Sequence, residues 1–225
     1  MGGAAALMAY AVRAPSSSLF GPSVYRGYPG RRSLALTFDD GPSESTPEIL
    51  SILESYNVKA TFFQCGANVR RLPSIAREVL AHGHEIGNHT ERHPNLCFRS
   101  PKEVADEFGK AQFTIENTLQ HSPRLMRAPF GVRWFGFREA QLRLNLLGVM
   151  WTVIGNDWKL GPTQIAARLR RGASNGAIFC LHDGRELRSV TRSLATTEAL
   201  RIIVPELLDR GFRFETVNRI LCSTN

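Results

Sequence analysis

Two aspartates stand side by side where an apolar run of the chain ends. Asp39 and Asp40 follow the apolar stretch 34–38, and Gly41 and Pro42 then favour a turn. The pair is therefore predicted to lie at the exit of a buried strand, where adjacent like charges are unfavourable unless a partner balances them. The simple alternative is that one aspartate caps the turn while its neighbour is solvated.

Further titratable residues follow other apolar runs. His89 and His93 occur in "HEIGNHTERH", Arg127 in "RAPF", Asp157 in "GNDW" and His182 in "CLHDG". The loops at the carboxyl ends of parallel strands converge on one mouth of a barrel. We therefore expect these side chains to surround the same cavity as the aspartate pair.

The two histidines suggest a metal site. They are four residues apart, so a helical turn or a tight loop can direct both imidazoles at one point. This spacing alone is weak evidence, but with an aspartate from another strand it predicts a catalytic ion with open positions. The same ligands suit non-haem Fe(II), which leaves the second aspartate and His182 unexplained. Hydrolysis explains both, since one aspartate can be a ligand, its neighbour a base, and another group can protonate the leaving amine.

The elements that must position these residues alternate along the chain. From Ser33 onward, short apolar runs alternate with amphipathic stretches, which is typical of βα units around a parallel sheet or barrel. We predict seven strands, near 33–38, 59–64, 84–88, 124–128, 149–154, 177–182 and 212–217. We predict helices from about residue 46, from about residue 101, and over 73–82, 135–147, 162–171 and 195–210.

The composition fits one α/β domain. The chain has 225 residues, 43% of them hydrophobic, and a formal net charge of +8. The basic residues form no run and are not interleaved with aromatics, so we expect no nucleic-acid partner. No glycine-rich nucleotide-binding motif is present.

The cysteines and the N-terminus leave the compartment open, with the cell envelope or secretion favoured. Four widely spaced cysteines without a C-x-x-C suggest neither a thiolate zinc cage nor a disulfide framework. The apolar stretch 4–12 is long enough for a signal-peptide core but too short to span a bilayer. We expect residues 1–30 to be a tail or the remnant of a signal or anchor segment.

Five motifs together resemble a known family. "TFDDGP", "HTERH", "RAPF", "NDW" and "CLHDG" occur in the order and approximate spacing of the motifs of polysaccharide deacetylases, the NodB-like domain of carbohydrate esterase family 4. The resemblance covers residues 31–222. It implies a single-domain, distorted (β/α)7 TIM-like barrel.

The resemblance also implies roles for individual residues. Asp39 would be the general base, oriented by Arg127, and His182 the general acid, tuned by Asp157. The metal ligands would be Asp40, His89 and His93, and the ion most often zinc, with cobalt, nickel or manganese as alternatives. The substrate-binding residues would be Phe130, through its backbone N–H at the oxyanion, and Trp158 and Leu181, as walls of the acetyl pocket.

The sequence departs from the family pattern at two positions. Ile154 replaces the first aspartate of D-x-x-D-W, and Phe130 stands where tyrosine is frequent. Neither change removes a group given a catalytic role above. We therefore expect a monomeric hydrolase, without a stable protein partner, that removes N-acetyl groups from N-acetylglucosamine units of peptidoglycan or a chitin-type oligomer. O-deacetylation of a polymer such as xylan, or glycan binding without catalysis, remain the alternatives.

Overall fold

The computed structural model describes residues 2–185, 187–189 and 195–223. Its strands are β1 Ser23–Val24, β2 Ser33–Gly41, β3 Thr61–Gln64, β4 Glu85–Asn88, β5 Leu125–Met126, β6 Leu147–Val149, β7 Val153–Ile154, β8 Ala177–His182 and β9 Arg213–Phe214. Its helices are α1 Gly2–Arg13, α2 Thr46–Ser55, α3 Gly66–Arg71, α4 Pro73–Ala81, α5 Pro101–Leu119, α6 Phe137–Leu144, α7 Pro162–Gly172, α8 Ala195–Asp209 and α9 Val217–Leu221.

The strands form one curled parallel sheet, which confirms the predicted distorted (β/α)7 barrel. Their order is β1-β6-β5-β4-β3-β2-β8-β7, and β9 pairs with the start of β2. The strand predicted over 149–154 is two strands, because the chain crosses between the two ends of the sheet there. The Met150 N–H donates to the Val24 carbonyl beside β6, whereas the Thr152 N–H donates to Ile178 in β8.

The alternation of side chains along β2 explains how an apolar strand can deliver a catalytic group. Leu34, Leu36 and Phe38 belong to the apolar core that includes residues of α2, α4, α7 and α8. The intervening residues Ala35, Thr37 and Asp39 point to the opposite, inner face of the sheet. The period of two therefore places Asp39 inside the barrel.

The N-terminal residues contact the rest of the chain. Ala11, Val12 and Phe20 are buried in a second apolar cluster with residues of α5 and α6, and β1 pairs with β6. Sequence patterns did not predict β1, the helical form of residues 2–13, or the short helices α3 and α9. The boundary at residue 30 stays a prediction. Within the described part of the chain, no helix is long and apolar enough to cross a membrane.

Candidate active site

An open cavity of about 580 Å³ lies at the carboxyl ends of the strands. The residues around it come from loops that are far apart in sequence but adjacent at this edge of the sheet, as expected for a barrel mouth. Eight of the sequence-predicted site residues line it: Asp39, Asp40, His89, His93, Phe130, Asp157, Trp158 and His182. The other two, Arg127 and Leu181, are fully buried and are described below.

Asp40, His89 and His93 form a compact group of possible metal ligands. One donor atom from each lies within 4.8 Å of the other two. The Asp40 Oδ1 is 3.0 Å from Nε2 of His93 and 3.5 Å from Nε2 of His89. Burial opposes ionisation of Asp40, but hydrogen bonds from both histidines outweigh it and hold its pKa well below the usual range. The carboxyl group is therefore ionised, as a metal ligand must be.

The surroundings of His89 suit a ligand role. Its Nδ1 lies 2.9 Å from the backbone carbonyl of Arg127, which can only accept a hydrogen bond. When a divalent ion binds, Nδ1 would keep the proton that this carbonyl accepts, and Nε2 would offer its lone pair to the ion in place of its hydrogen bond to Asp40. Open zinc sites are commonly formed by two imidazoles and one carboxylate, so these residues fit a divalent ion.

The loop after β4 folds back so that both histidines reach this point. Thr90 and His93 have positive φ angles of 67° and 55°, and Asp40 has 74°. For a β-branched residue such as Thr90 this conformation is unusual and carries strain. It is stabilised by hydrogen bonds from the Thr90 N–H to Asn88 Oδ1 and from the His93 N–H to Thr90 Oγ1.

Asp39 is held beside this group by a buried arginine. Nη1 of Arg127 donates to Asp39 Oδ1 over 2.6 Å and to Thr37 Oγ1 over 2.7 Å. The guanidinium also donates to two backbone carbonyls and lies against the ring of Phe63, 4.0 Å from its centroid. Arg127 does not line the cavity. It fixes the orientation of Asp39 from behind, while Asp39 Oδ2 lies 3.9 Å from His89 Nε2.

His182 and Asp157 form a second ionic pair on the other side of the cavity. Asp157 Oδ1 is 2.8 Å from His182 Nδ1, and its Oδ2 accepts hydrogen bonds from the His182 backbone N–H and from Thr196 Oγ1. Burial alone would lower the pKa of His182, but the Asp157 carboxylate outweighs it and raises this pKa to about 9. The imidazole therefore carries its proton at neutral pH, and its other nitrogen is available to the cavity.

The predicted apolar contacts are only partly at the cavity. Phe130 is 49% exposed with a positive φ of 57°, and its ring lies edge-on to His93. Trp158 is 42% exposed, and its ring lies edge-on to His182. Leu181 instead points into the core on the outer side of the sheet. Its neighbours in β8, Cys180 and His182, face the cavity because side chains alternate along a strand.

Several cavity residues were missed from the sequence. Trp151, Ile154, Cys180 and Thr196 line it, and Cys180 Sγ lies 3.5 Å from Asp39 Oδ2. The two-residue period of β8 was a usable signal for Cys180, since it shares the face of His182. Arg13 also lines the cavity, from a segment expected to be a tail.

Asp183 supports the base of the site without facing the cavity. Burial raises its pKa to about 7, although the hydrogen bond from Thr46 Oγ1 acts in the opposite direction. Its carboxyl group lies directly against Gly41, where an added Cβ would approach the carboxyl oxygens within 2.1 and 2.4 Å. Glycine is therefore required for the close approach of the two strand ends.

Comparison with known proteins places the chain in a family. The polysaccharide deacetylase family model matches residues 26–147, more than half of the chain. A chitooligosaccharide deacetylase from Bradyrhizobium sp. (strain ANU 289) is 37% identical over 205 residues, which cover 87% of this chain and 94% of that protein. The chain belongs to the polysaccharide deacetylase family, which includes hydrolases of carbohydrate esterase family 4.

Solved structures share the fold. A peptidoglycan N-acetylglucosamine deacetylase, Bc1960, has a TM-score of 0.80 and 31% identity, covering 87% of this chain and 91% of its own. A family 4 pseudoenzyme from Bacillus anthracis has a TM-score of 0.81 and 29% identity, covering 89% of this chain and 69% of its own. The fold is thus shared by an active enzyme and by an inactive relative, so activity depends on the residues of the site.

Proposed function

We propose that this protein is a metal-dependent hydrolase that removes N-acetyl groups from N-acetylglucosamine residues of a glycan. The observation that carries the proposal is the arrangement of three groups around one cavity. The Asp40–His89–His93 group and the Asp39–Arg127 pair are adjacent, and the His182–Asp157 pair completes the lining. Each step of amide hydrolysis then has a residue of suitable chemistry.

Asp39 is suited to act as the general base. Arg127 occupies its Oδ1, so Oδ2, which lies 3.5 Å from the weakly donating thiol of Cys180, can accept a proton from the water that attacks the acetamide carbonyl. A divalent ion held by Asp40, His89 and His93 would acidify that water and polarise the carbonyl. Zinc fits this donor set, and cobalt, nickel or manganese share its ligand preferences in part.

His182 is suited to act as the general acid. Asp157 keeps it protonated, and the proton on the free ring nitrogen can pass to the amine nitrogen as the C–N bond breaks. The products are acetate and a free amino sugar. Phe130 would contribute its backbone N–H to the developing oxyanion, and the exposed rings of Phe130 and Trp158 would contact the sugar and its acetyl group.

The names of relatives support the substrate class. One relative is called a chitooligosaccharide deacetylase, and a structural neighbour a peptidoglycan N-acetylglucosamine deacetylase. Both names describe removal of acetyl groups from N-acetylated glycans. The inactive relative does not weaken the proposal, because every position given a catalytic role in this chain holds a chemically competent residue.

Acetate release tests the proposal. The zinc-loaded protein is expected to release acetate from N-acetylated chitooligosaccharides, to lose this activity when a chelator removes the metal, and to regain it when zinc is restored. Acetate from acetylxylan but not from chitooligosaccharides would assign O-deacetylation instead. Calorimetric binding of a chitooligosaccharide without turnover by the zinc-loaded protein would indicate a glycan-binding protein.

A further inference from the structure

Three arginines stand at the cavity, and the function proposed above gives none of them a role. Arg13, at the end of α1, and Arg185 and Arg188, in the loop after β8, all line it and are exposed. We call them the arginine rim. None of them forms an ion pair with another described residue of the chain. They come from two separate segments, yet they meet at the same opening.

The two arginines after β8 are paired through their backbones. Arg185 and Arg188 are paired across an isolated antiparallel bridge, and the Arg188 N–H donates to the Arg185 carbonyl over 3.0 Å. Like charges opposite each other in such a pair are destabilising. An anion bound beside this pair of residues would offset the two positive charges.

The position of Arg13 is fixed by buried contacts. Its neighbours Ala11 and Val12 are buried, and the Arg133 N–H donates to the Val12 carbonyl over 3.1 Å. The guanidinium of Arg133, itself buried, donates to the carbonyls of Ala14 and Ser17 just beyond the end of α1. The backbone at Arg13 is therefore anchored to the domain at the cavity edge.

The acidic groups inside the cavity do not need the arginine rim. Asp39 is paired with Arg127, and Asp157 with His182. Asp40 faces two histidines and is the proposed ligand of a divalent cation. The inner carboxylates are thus balanced by other groups. The positive charge at the opening is therefore available to a negatively charged ligand that enters from solvent.

We propose that the arginine rim selects an N-acetylated oligosaccharide that carries a carboxylate near the sugar to be deacetylated. This inference rests on the proposed function. A polymer of N-acetylglucosamine alone is neutral and offers these arginines no charge, whereas guanidinium groups bind carboxylates in bidentate geometry. The carboxylate could come from the lactyl ether of a muramic acid or from a uronic acid, both of which alternate with N-acetylated amino sugars.

The test compares each oligosaccharide with its own methyl ester, which removes the charge and little else. The zinc-loaded full chain is assayed for acetate release on a muramic acid-containing and a glucuronic acid-containing oligosaccharide. At about 10 mM ionic strength we expect kcat/KM for the free acid to exceed that for the ester by about fivefold or more, and the preference to shrink in high salt. The oligosaccharide that shows the larger preference for the free acid over the ester identifies the source of the carboxylate.

Matched variants assign the preference to these residues. The triple variant Arg13→Gln, Arg185→Gln, Arg188→Gln should reduce the free-acid to ester ratio to about one. The control Arg77→Gln, Arg138→Gln, Arg171→Gln changes the net charge equally at exposed sites that do not line the cavity, and should keep the ratio.

The outcomes separate this inference from the proposed function. Equal acetate release from acids and esters by the wild-type protein, or a preference that survives in the triple variant, would overturn the role of the arginine rim and leave deacetylation standing. If no substrate releases acetate, the proposed function fails. In that case, calorimetric binding of the acid and the ester to the same proteins tests the role of the arginine rim. Equal affinities for the acid and the ester would show that the arginine rim does not select a carboxylate.

Discussion

The proposed base and the proposed acid each belong to a buried ionic pair, and each pair sets the state of one reacting group. Arg127 binds one oxygen of Asp39, so the base keeps a defined orientation. Asp157 binds the backbone and the side chain of His182 at once. Because both pairs are largely shielded from water, their electrostatic interactions are stronger than those of exposed ion pairs.

The His182–Asp157 pair predicts a specific pH dependence. A general acid must be protonated, so kcat/KM of the zinc-loaded protein should fall on the alkaline side near pH 9, the raised pKa of His182. Asp157→Asn removes the charge that raises this pKa, while burial, which lowers it, remains. The alkaline limb should then move to lower pH by about one unit or more, as measured by kcat/KM between pH 5 and 10.

The hydrogen bond from Thr196 provides the control for this experiment. Thr196→Val removes a neutral donor from Asp157 but leaves the carboxylate in place. Its alkaline limb should stay closer to the wild-type position than that of Asp157→Asn. An Asp157→Asn protein with an unchanged alkaline limb would show that His182 is not the titrating acid.

The polar groups of the site could be predicted from the sequence better than its apolar walls. The aspartates, histidines and Arg127 belong to short motifs whose chemistry can be read from residue types. The wall formed by Cys180 instead depends on which face of β8 is turned inward, and the residue predicted there, Leu181, lies on the other face. The conformation of Phe130 could not be predicted either, since nothing in its residue type favours a positive φ.

At the scale of secondary structure elements, the close contact of β3 and β4 supports the catalytic base indirectly. Gly87 in β4 lies opposite Phe63 in β3, and a Cβ on Gly87 would approach the Phe63 ring to 2.4 Å. That ring is fully buried and lies against the Arg127 guanidinium, which holds Asp39. The glycine therefore leaves room for the ring that positions the arginine.

Gly87→Ala should destabilise the protein and reduce activity. The added methyl group must displace a buried ring, at a typical cost of about 1–3 kcal/mol in the free energy of unfolding. Displacement of Phe63 would also disturb Arg127, so kcat for acetate release should fall. Urea unfolding and steady-state kinetics measure the two effects.

Gly109→Ala is the matched control in the same protein. Gly109 lies within α5, and nothing is within 4 Å of a Cβ placed there. Replacing glycine by alanine in a helix interior should stabilise the protein by about 0.5–1 kcal/mol without changing kcat. If Gly87→Ala unfolded at the same urea concentration as Gly109→Ala, the close packing of Gly87 against Phe63 would not contribute to stability.

Elements with clear periodicity were predicted well, and elements made by tertiary contacts were not. The helices α4, α5, α7 and α8 show apolar spacing or end signals, and the predicted ranges are close to those observed. The two-residue strand β1 exists only because it pairs with β6, which no local pattern reveals. The interruption between β6 and β7 also depends on tertiary contacts, because the chain leaves one end of the sheet after β6 and joins β8 at the other end.

For the whole molecule, Arg133 connects the N-terminal segment to the barrel. It is among the largest fully buried side chains, and its guanidinium donates to the carbonyls of Ala14 and Ser17. Burial lowers its pKa, which indicates that the charge is held away from water at a cost. The contacts it makes are therefore expected to maintain the docking of α1.

Arg133→Met should loosen the N-terminal segment. The substitution removes the donors to two backbone carbonyls, a change of about 1–3 kcal/mol when such groups are left unsatisfied. Trypsin should then cleave after Arg13 or Arg26 faster than in the wild-type protein, as followed by mass spectrometry. Arg138→Met, at an exposed position of α6, serves as the control and should leave the cleavage rate unchanged. Equal rates in both variants would show that Arg133 does not hold this segment.

We assign different tasks to the adjacent aspartates at the end of β2, with Asp39 as base and Asp40 as metal ligand. This assignment is tested by measuring zinc content and acetate release together on the wild-type, Asp39→Asn and Asp40→Asn proteins. We expect Asp39→Asn to retain about one zinc per chain but to lose about 100-fold or more in kcat, and Asp40→Asn to lose both zinc and activity. Full acetate release by Asp39→Asn, or full zinc retention by Asp40→Asn, would show that the two aspartates do not have these tasks.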